Sequence, residues 1–145
     1  MNIQEIEKLT GVPKQNIRYY EKEGLIHPER NSENGYRQFT EKDVERIKLI
    51  KLFRKLDFPV SGIAELLDGK ANLSDAVNEQ IDRLEKQSQD LKDCIAFCKV
   101  LEKEEAVASI DADYYLQDMQ EKEKSGNRFF DFLSDVKEVY HAEWQ

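Results

Sequence analysis

Four polar side chains near the amino terminus have the types and the spacing of a surface that binds another molecule. They recur at intervals of three and four residues, which places them on one face of a helix with a period of about 3.6 residues: Gln15, Arg18, Tyr19 and Lys22. Ile17 and Tyr20 face the other side and would pack in a core. Pro13 suits the first turn and Gly24 the position past the end, so the helix is short. The free face carries groups that read base edges and bind phosphates on duplex DNA.

A hairpin signal follows this helix. Asn34-Gly35 is the dipeptide most typical of a two-residue β-turn, and Arg30, Tyr36 and Arg37 flank it. We therefore predict a wing, a short hairpin with two arginines and a tyrosine beside the helix.

A first helix and a tight turn would position these groups. Asn2 and Glu5 predict a capped helix that runs to Leu9, and Gly11 lies in the turn that follows. Helix, glycine turn, second helix and hairpin together predict a winged helix-turn-helix, whose second helix lies in the major groove. A polar helix face alone is often only solvated, but the turn and the hairpin make DNA contact the preferred interpretation.

The predicted DNA contacts differ in kind. Arg18 and Tyr19 are the candidates for base contacts, and Gln15 lies on the same face. Tyr20 is predicted to be a core ring whose hydroxyl reaches a phosphate. The groups expected to hold the DNA backbone are Lys14, Lys22, Arg30, Tyr36 and Arg37.

Three segments resemble a known family. IQEIEKLTGVP, NIRYYEKEGLI and NGYRQFTEKDVERI, in this order, resemble the amino-terminal domain of MerR-type bacterial transcription regulators. The likeness covers residues 1–70. It implies a homodimer on a promoter with an over-long spacer. Effector binding would let the dimer bend and untwist that DNA until RNA polymerase engages both promoter elements.

The charge is divided unevenly along the chain. The 145 residues are 39% hydrophobic and 36% charged, with a net charge of −8. Residues 1–60 hold 12 Lys and Arg against 10 Asp and Glu, whereas residues 61–145 hold 10 against 20. Positive charge is therefore concentrated where a phosphate-binding surface needs it. No apolar run approaches the ~20 residues of a membrane span, and two cysteines make no disulfide framework, so we expect a cytoplasmic protein without membrane contact.

Two more helices are predicted after the wing. Thr40 with Asp43 opens the first, and Asp57-Phe58-Pro59 ends it. Its apolar side consists of Val44, Ile47, Leu49, Ile50, Phe53 and Leu56, and its cations Lys48, Lys51, Arg54 and Lys55 are further candidates for phosphate contact. A short helix then starts at Ser61 and stops at Gly69.

A long helix follows, from about Ser74 to Glu105, without Pro or Gly. Apolar and small residues alternate spacings of four and three along it: Val77, Ile81, Leu84, Ser88, Leu91, Ile95 and Cys98. This seam is typical of a coiled coil, and a lone helix would leave it exposed, so a partner helix is expected. The family resemblance implies an antiparallel pairing of two subunits through residues 71–108.

Cys94 and Cys98 allow two interpretations. Thiolates four residues apart share a helix face, and two chains could bring four to a soft metal such as zinc or copper(I). The preferred interpretation is that both are small apolar side chains of the seam and its flank. His27 and His141 are too isolated to add a ligand, so we predict no metal site and no cofactor.

The last segment, residues 109–145, is rich in aromatic residues. One helix is predicted from Asp111 to Lys124, a turn at residues 125–127, and another helix from Arg128 to Glu143. The preferred interpretation is that this helical hairpin packs on the long helix or on the DNA-binding domain of the partner subunit. The second is an effector pocket for a small organic cation, ringed by acidic residues such as Asp111, Asp113, Asp118 and Asp131. Its candidate residues are Tyr114, Tyr115, Phe129, Phe130, Tyr140 and Trp144.

These predictions combine into a mainly α-helical protein: a winged helix-turn-helix DNA-binding domain at residues 1–70, a dimerisation helix, and a carboxy-terminal helical segment. We expect a homodimeric transcriptional regulator that binds double-stranded promoter DNA. A helical adaptor that binds proteins instead of DNA is the alternative, because the rear of the chain is acidic. An enzyme is disfavoured, since the sequence has no nucleophile elbow, phosphate loop or zinc-protease motif.

Overall fold

The computed structural model describes residues 1–130, which are mainly helical, as predicted. Contacts divide the chain into two compact units, the first of them Met1–Ile81 and the second beginning at Asp82. The elements are α1 (Ile3–Thr10), α2 (Lys14–Lys22), β1 (Glu29–Arg30), β2 (Arg37–Gln38), α3 (Glu41–Lys55), α4 (Val60–Leu67), α5 (Leu73–Leu101), the 3₁₀ turn Val107–Ser109 and α6 (Ala112–Lys124). Most of the helix predicted from Arg128 to Glu143 lies outside the described residues.

Two reciprocal caps start the helices of the first unit. The Asn2 side chain accepts a hydrogen bond from the Glu5 backbone N–H at 2.9 Å, and Thr40 accepts one from Asp43 at 3.3 Å. In each pair the carboxylate accepts a hydrogen bond in return from the backbone N–H of the capping residue. Such caps satisfy donors that the first turn of a helix leaves unpaired, and both predicted helix starts are confirmed.

The core of the first unit lies between α1, α2, α3 and α4. The residues whose side chains are fully buried are Ile6, Ile17, Leu25, Ile26, Ile47, Ile50 and Ile63. Tyr20 is only 6% exposed, as predicted for a core ring. The core therefore fixes the inner face of α2 and leaves the other face free.

The isoleucine at the centre of α3 supports a stability prediction. Ile47→Ala is expected to lower the free energy of unfolding by about 2–5 kcal/mol, because it removes buried methylenes and leaves a cavity. Leu52→Ala on the same helix is the matched control, since Leu52 is 53% exposed. Urea denaturation measures both. Equal shifts in the two variants would contradict this description of the core.

The predicted apolar side of α3 is only partly correct. Leu49 and Leu56 are 44% and 50% exposed, because the core contacts only the side that carries Val44, Ile47 and Ile50. The short helix α4 begins at Val60 and not at Ser61, with Pro59 as its N-cap residue. It ends before Gly69, whose positive φ of 72° terminates the helix as predicted.

Helix α5 is the longest element, with 29 residues and a length of about 44 Å at 1.5 Å per residue. Near its start, Gln80 is 3% exposed and donates a hydrogen bond to the Leu56 carbonyl at 2.8 Å. The predicted end at Glu105 is wrong, since the helix stops at Leu101 and a turn follows. No helix within residues 1–130 is long and apolar enough to span a membrane.

Phe97 lies at the centre of an aromatic cluster in the second unit. This side chain of α5 is 3% exposed, and the rings of Tyr115 and Phe129 meet it edge-on with centroids at 6.1 and 5.4 Å. The Nζ atom of Lys122 lies 5.4 Å from the centre of the Phe97 ring. Within this unit the α6 segment therefore packs on α5 through an aromatic cluster.

Candidate nucleic-acid interface

Helix α2 presents a continuous polar face to solvent. Pro13 is its N-cap residue with extended backbone, and Gly24, with a φ of 77°, follows its end, so the helix has nine residues. Gln15, Arg18, Tyr19 and Lys22 are all exposed. Among the described residues, Arg18 and Lys22 form no salt bridge. Their charges are therefore available to a negatively charged ligand.

The two tyrosines of α2 have different environments. Tyr19 is 47% exposed, whereas Tyr20 points into the core, and their ring centroids are 6.0 Å apart. Of the two, Tyr19 is thus the one with a ring surface open to a partner molecule.

The wing has a longer loop than predicted. Its strands pair antiparallel, with Glu29 opposite Gln38 and Arg30 opposite Arg37. Six residues connect them, so the predicted two-residue turn at Asn34-Gly35 is wrong. A type I′ turn needs positive φ at both central residues, but only Gly35 has one, at 71°. Side-chain oxygens shape the loop instead: Asn31 accepts from the Glu33 N–H and Asn34 from the Tyr36 N–H.

One carboxylate joins the wing to α2. Glu21 Oε1 accepts hydrogen bonds from Arg30 Nη2 at 3.1 Å and from Arg37 Nε at 3.0 Å. Arg37 Nη2 lies 3.0 Å from the same oxygen as part of the ion pair. Both arginines were predicted to contact phosphates, and no role was predicted for Glu21. A second exposed aromatic side chain, that of Tyr36, lies 72% exposed on this loop.

A side chain of α3 stabilises the turn between α1 and α2. Gly11 has a φ of 71°, a left-handed conformation that glycine adopts without a steric penalty. The Nζ atom of Lys51 donates to the Thr10 carbonyl at 2.9 Å, and Arg54 donates to the Phe58 carbonyl at 2.7 Å. Both cations were candidates for phosphate contact, and in this structure both bind backbone carbonyls. Lys48 and Lys55 remain exposed.

Four of the candidate effector residues lie in the described part of the second unit. Tyr115 donates a hydrogen bond from its hydroxyl to Glu104 at 2.6 Å, and this bond raises the pKa of Tyr115. Tyr114 and Phe130 are 64% and 77% exposed, and Phe129 is half-buried. Tyr140 and Trp144, which completed the predicted pocket, lie outside the described residues, as does Asp131.

Two of the acidic residues predicted to ring this pocket, Asp111 and Asp118, have local partners. Asp111 caps α6 by accepting from the Tyr114 N–H, and Asp118 pairs with Lys122 at 2.6 Å. Phe97, which contacts both Tyr115 and Phe129, was not among the predicted site residues.

The cysteines do not belong to a metal cluster in the described part of the chain. Cys94 is half-buried and Cys98 exposed, both on α5. Within residues 1–130 there is no group of three or more His, Cys, Asp or Glu side chains that could hold a metal ion.

Comparison with known proteins identifies the family. The model described as "MerR HTH family regulatory protein" matches residues 1–70. A probable heavy metal-dependent transcriptional regulator of Haemophilus influenzae is 37% identical over 106 residues, which cover 63% of this chain and 83% of that protein. The chain belongs to the MerR family. A second relative, CueR of Escherichia coli O157:H7, is 37% identical over 68 residues, or 47% of this chain, and the match spans only about half (50%) of CueR.

Solved structures of MerR-type proteins have the same fold. MtaN, the N-terminus of a multidrug transporter activator of Bacillus subtilis, has a TM-score of 0.66 and 23% identity over 72% of this chain and 99% of its own. PbrR691 of Ralstonia metallidurans, solved with lead(II), has a TM-score of 0.65 and 24% identity over 75% of this chain and 92% of its own.

The MerR relationship confirms the main functional prediction. The relatives are transcriptional regulators, so the protein is a DNA-binding transcriptional regulator and not an enzyme. The family match favours the DNA-binding regulator over the adaptor alternative, because the segment that matches is the one that carries the polar face of α2 and the wing.

Proposed function

We propose that this MerR-family chain acts as a homodimer whose two heads, the DNA-binding domains at residues 1–70, bind a pseudo-palindromic promoter site. The observation that carries the proposal is the exposed seam of α5. Its apolar members are 36–53% exposed: Val77, Ile81, Leu84, Leu91 and Ile95. Ser88 and Cys98 continue the same stripe and are exposed as well.

The energetics of this seam favour pairing. Covering one half-exposed aliphatic side chain is worth on the order of 1 kcal/mol. Two chains would bury ten such side chains, a gross gain on the order of 10 kcal/mol before the entropy of association is subtracted. An antiparallel arrangement places the heads at opposite ends of the paired helices. The half-sites would then lie about one helical turn of DNA, ~34 Å, or a multiple of it apart.

The DNA-contacting surface would consist of the α2 face and the wing. Arg18 and Tyr19 are proposed for base contacts, with Gln15 beside them. Lys14, Lys22, Arg30, Tyr36 and Arg37 are proposed for the phosphates, and the hydroxyl of Tyr20 for a phosphate at the rim. Arg18 and Lys22 are exposed, which supports their assignments, whereas Lys14 is half-buried.

Binding of this kind has a clear experimental signature. Each neutralised phosphate releases counterions, so affinity must fall linearly with salt on a log–log plot. Electrophoretic or anisotropy titrations at several salt concentrations, with duplexes selected from a random library, measure this slope. Absence of duplex binding at low salt would contradict the proposal.

The regulatory step is proposed to be a shift between the two subunits. Because paired helices would hold the heads at a fixed spacing, such a shift deforms the duplex between the half-sites. On a promoter with an over-long spacer, this deformation would align both elements for RNA polymerase.

A small organic cation is proposed as the effector, bound by the aromatic cluster of the second unit. The contact between the Lys122 ammonium and the Phe97 ring supports this, because it is a cation–π contact of the kind such a ligand would make. Tyr114 offers an exposed ring whose centroid lies 5.3 Å from that of Tyr115, and the ring of Phe130 is exposed as well. A soft metal at Cys94 and Cys98 is the second candidate, favoured by the heavy metal-dependent relative.

Thermal unfolding separates the two effector candidates. A ligand present at 100 times its Kd stabilises the folded state by about 2.7 kcal/mol and raises Tm. We expect a saturating organic cation to raise Tm in the wild type and in Cys94→Ala/Cys98→Ala, but not in Tyr114→Ala. Tyr36→Ala, which removes an exposed tyrosine of the wing, is the matched control. A rise with copper or zinc that disappears in the double cysteine variant would overturn the preference for an organic ligand.

A further inference from the structure

Glu21 occupies an unusual position for an acidic residue. It lies on α2, next in sequence to the face proposed to meet a polyanion, and its side chain is 21% exposed. A carboxylate at this place repels phosphates and so weakens DNA binding, unless it also has a role that favours binding. Its two hydrogen bonds, one from Arg30 and one from Arg37, and a further ion-pair contact with Arg37 supply such a role.

The bonds cross from one element to another. Arg30 is nine residues and Arg37 sixteen residues from Glu21, and they come from opposite strands of the wing. A single oxygen therefore ties β1 and β2 to α2. Arg30 is further held by a 3.3 Å bond from Nη1 to the Gly35 carbonyl, which connects the same guanidinium to the loop.

We call the contacts of Glu21 with Arg30 and Arg37 the clamp. The clamp leaves part of each guanidinium exposed and able to contact DNA. The Arg37 side chain is 22% exposed and that of Arg30 is 50% exposed. Among the described residues, Nη1 of Arg37 has no hydrogen-bond partner. Two guanidiniums and one carboxylate carry a net charge of +1, so the group still attracts phosphates.

We infer that Glu21 is a positioning residue for DNA specificity: it fixes the two wing arginines relative to the recognition helix and lowers their attraction for arbitrary phosphates. An unclamped arginine samples many rotamers and meets phosphates on any sequence. An arginine held by Glu21 reaches the DNA backbone only when α2 lies in the major groove at its specific site. Such an arginine also loses less conformational entropy when it binds a phosphate. The inference rests on the proposed DNA-contacting surface, and it adds a residue that contacts no DNA itself.

The test compares two charge removals on neighbouring positions. Glu21→Gln removes the negative charge of the clamp and weakens its hydrogen bonds, because a neutral amide oxygen accepts more weakly than a carboxylate. Glu23→Gln removes an exposed carboxylate at the end of the same helix that makes no side-chain hydrogen bond in the described structure. Affinities are measured for a duplex selected by the wild type and for a scrambled duplex of equal length. We expect Glu21→Gln to lower the ratio of the two affinities at least about tenfold. Glu23→Gln should change both affinities by a similar factor, and Glu21→Asp should restore part of the ratio.

A DNA-free measurement reports on the clamp itself. In a ¹H–¹⁵N spectrum the Nε–H of Arg37 should exchange slowly in the wild type and in Glu23→Gln, and faster in Glu21→Gln, where the bond to a charged acceptor is lost. Equal affinity ratios in the two Gln variants would overturn the inference, as would an Arg37 Nε–H that does not respond to Glu21→Gln. If the wild type selects no duplex at all while the Arg37 signal behaves as expected, the DNA-reading function has failed and the clamp geometry has not.

Discussion

The double change Leu84→Glu/Leu91→Glu is expected to convert the protein into a monomer and to lower its affinity for a two-half-site operator by about 10²–10⁴-fold. Both leucines lie on the exposed seam of α5, at 40% and 52% exposure. In a paired seam each chain would bury two carboxylates without partners, which costs more than the seam gains. The second head then binds as a separate molecule, and its high effective concentration at the operator is lost. Light scattering measures the mass, and anisotropy titration measures the affinity.

The control for this variant adds the same charge elsewhere on α5. Gln89→Glu/Ala96→Glu places two carboxylates at exposed positions outside the seam. It should remain a dimer and bind the operator as the wild type does. Circular dichroism should show that the helix content of both variants is unchanged. A dimeric Leu84→Glu/Leu91→Glu protein would show that these leucines are not in the interface.

Arg18→Ala/Arg37→Ala is the second change with a large expected effect. Loss of an arginine contact to a base costs about 1–3 kcal/mol, and a dimer loses two of them at once. Loss of Arg18 alone should therefore cost about 2–6 kcal/mol, and operator affinity should fall about 30-fold or more. The loss of Arg37 should in addition lower the salt slope by about one for each head.

The matched control for the arginine variant is Arg83→Ala. Arg83 is exposed on α5, outside the head, and its removal changes the charge of the acidic unit. It should leave both the operator affinity and the salt slope close to the wild-type values. Retention of operator binding in Arg18→Ala/Arg37→Ala would show that DNA is bound through a different surface.

Local signals in the sequence predicted most of the helices. The Asn2/Glu5 and Thr40/Asp43 caps and the glycines at 24 and 69 act within a few residues, so their effects on helix ends can be read directly. The wing loop could not be read in this way. Asn34-Gly35 is a strong signal for a short turn, but the hydrogen bonds of Asn31 and Asn34 build a six-residue loop instead.

The candidate site was predictable in its exposed face but not in its supports. The polar stripe of α2 follows from helical spacing, because each member lies within one turn of the next. The role of Glu21 depends on pairs nine and sixteen residues apart, and that of Lys51 on a carbonyl 41 residues away. Such pairs leave no periodic pattern in a single sequence. Phe97 was missed for a related reason, since one aromatic side chain outside the seam of a long polar helix carries no spacing signal.

The central claim is that two chains pair through α5, because only paired helices can hold two DNA-binding heads at a fixed distance. Sedimentation equilibrium of the intact wild-type chain tests this claim most directly. Circular dichroism at each concentration would establish that the chain is folded. We expect a single species with twice the mass of one chain down to submicromolar concentrations, and no change of mass in Gln89→Glu/Ala96→Glu. A fully folded species with the mass of one chain at micromolar concentration would contradict the account.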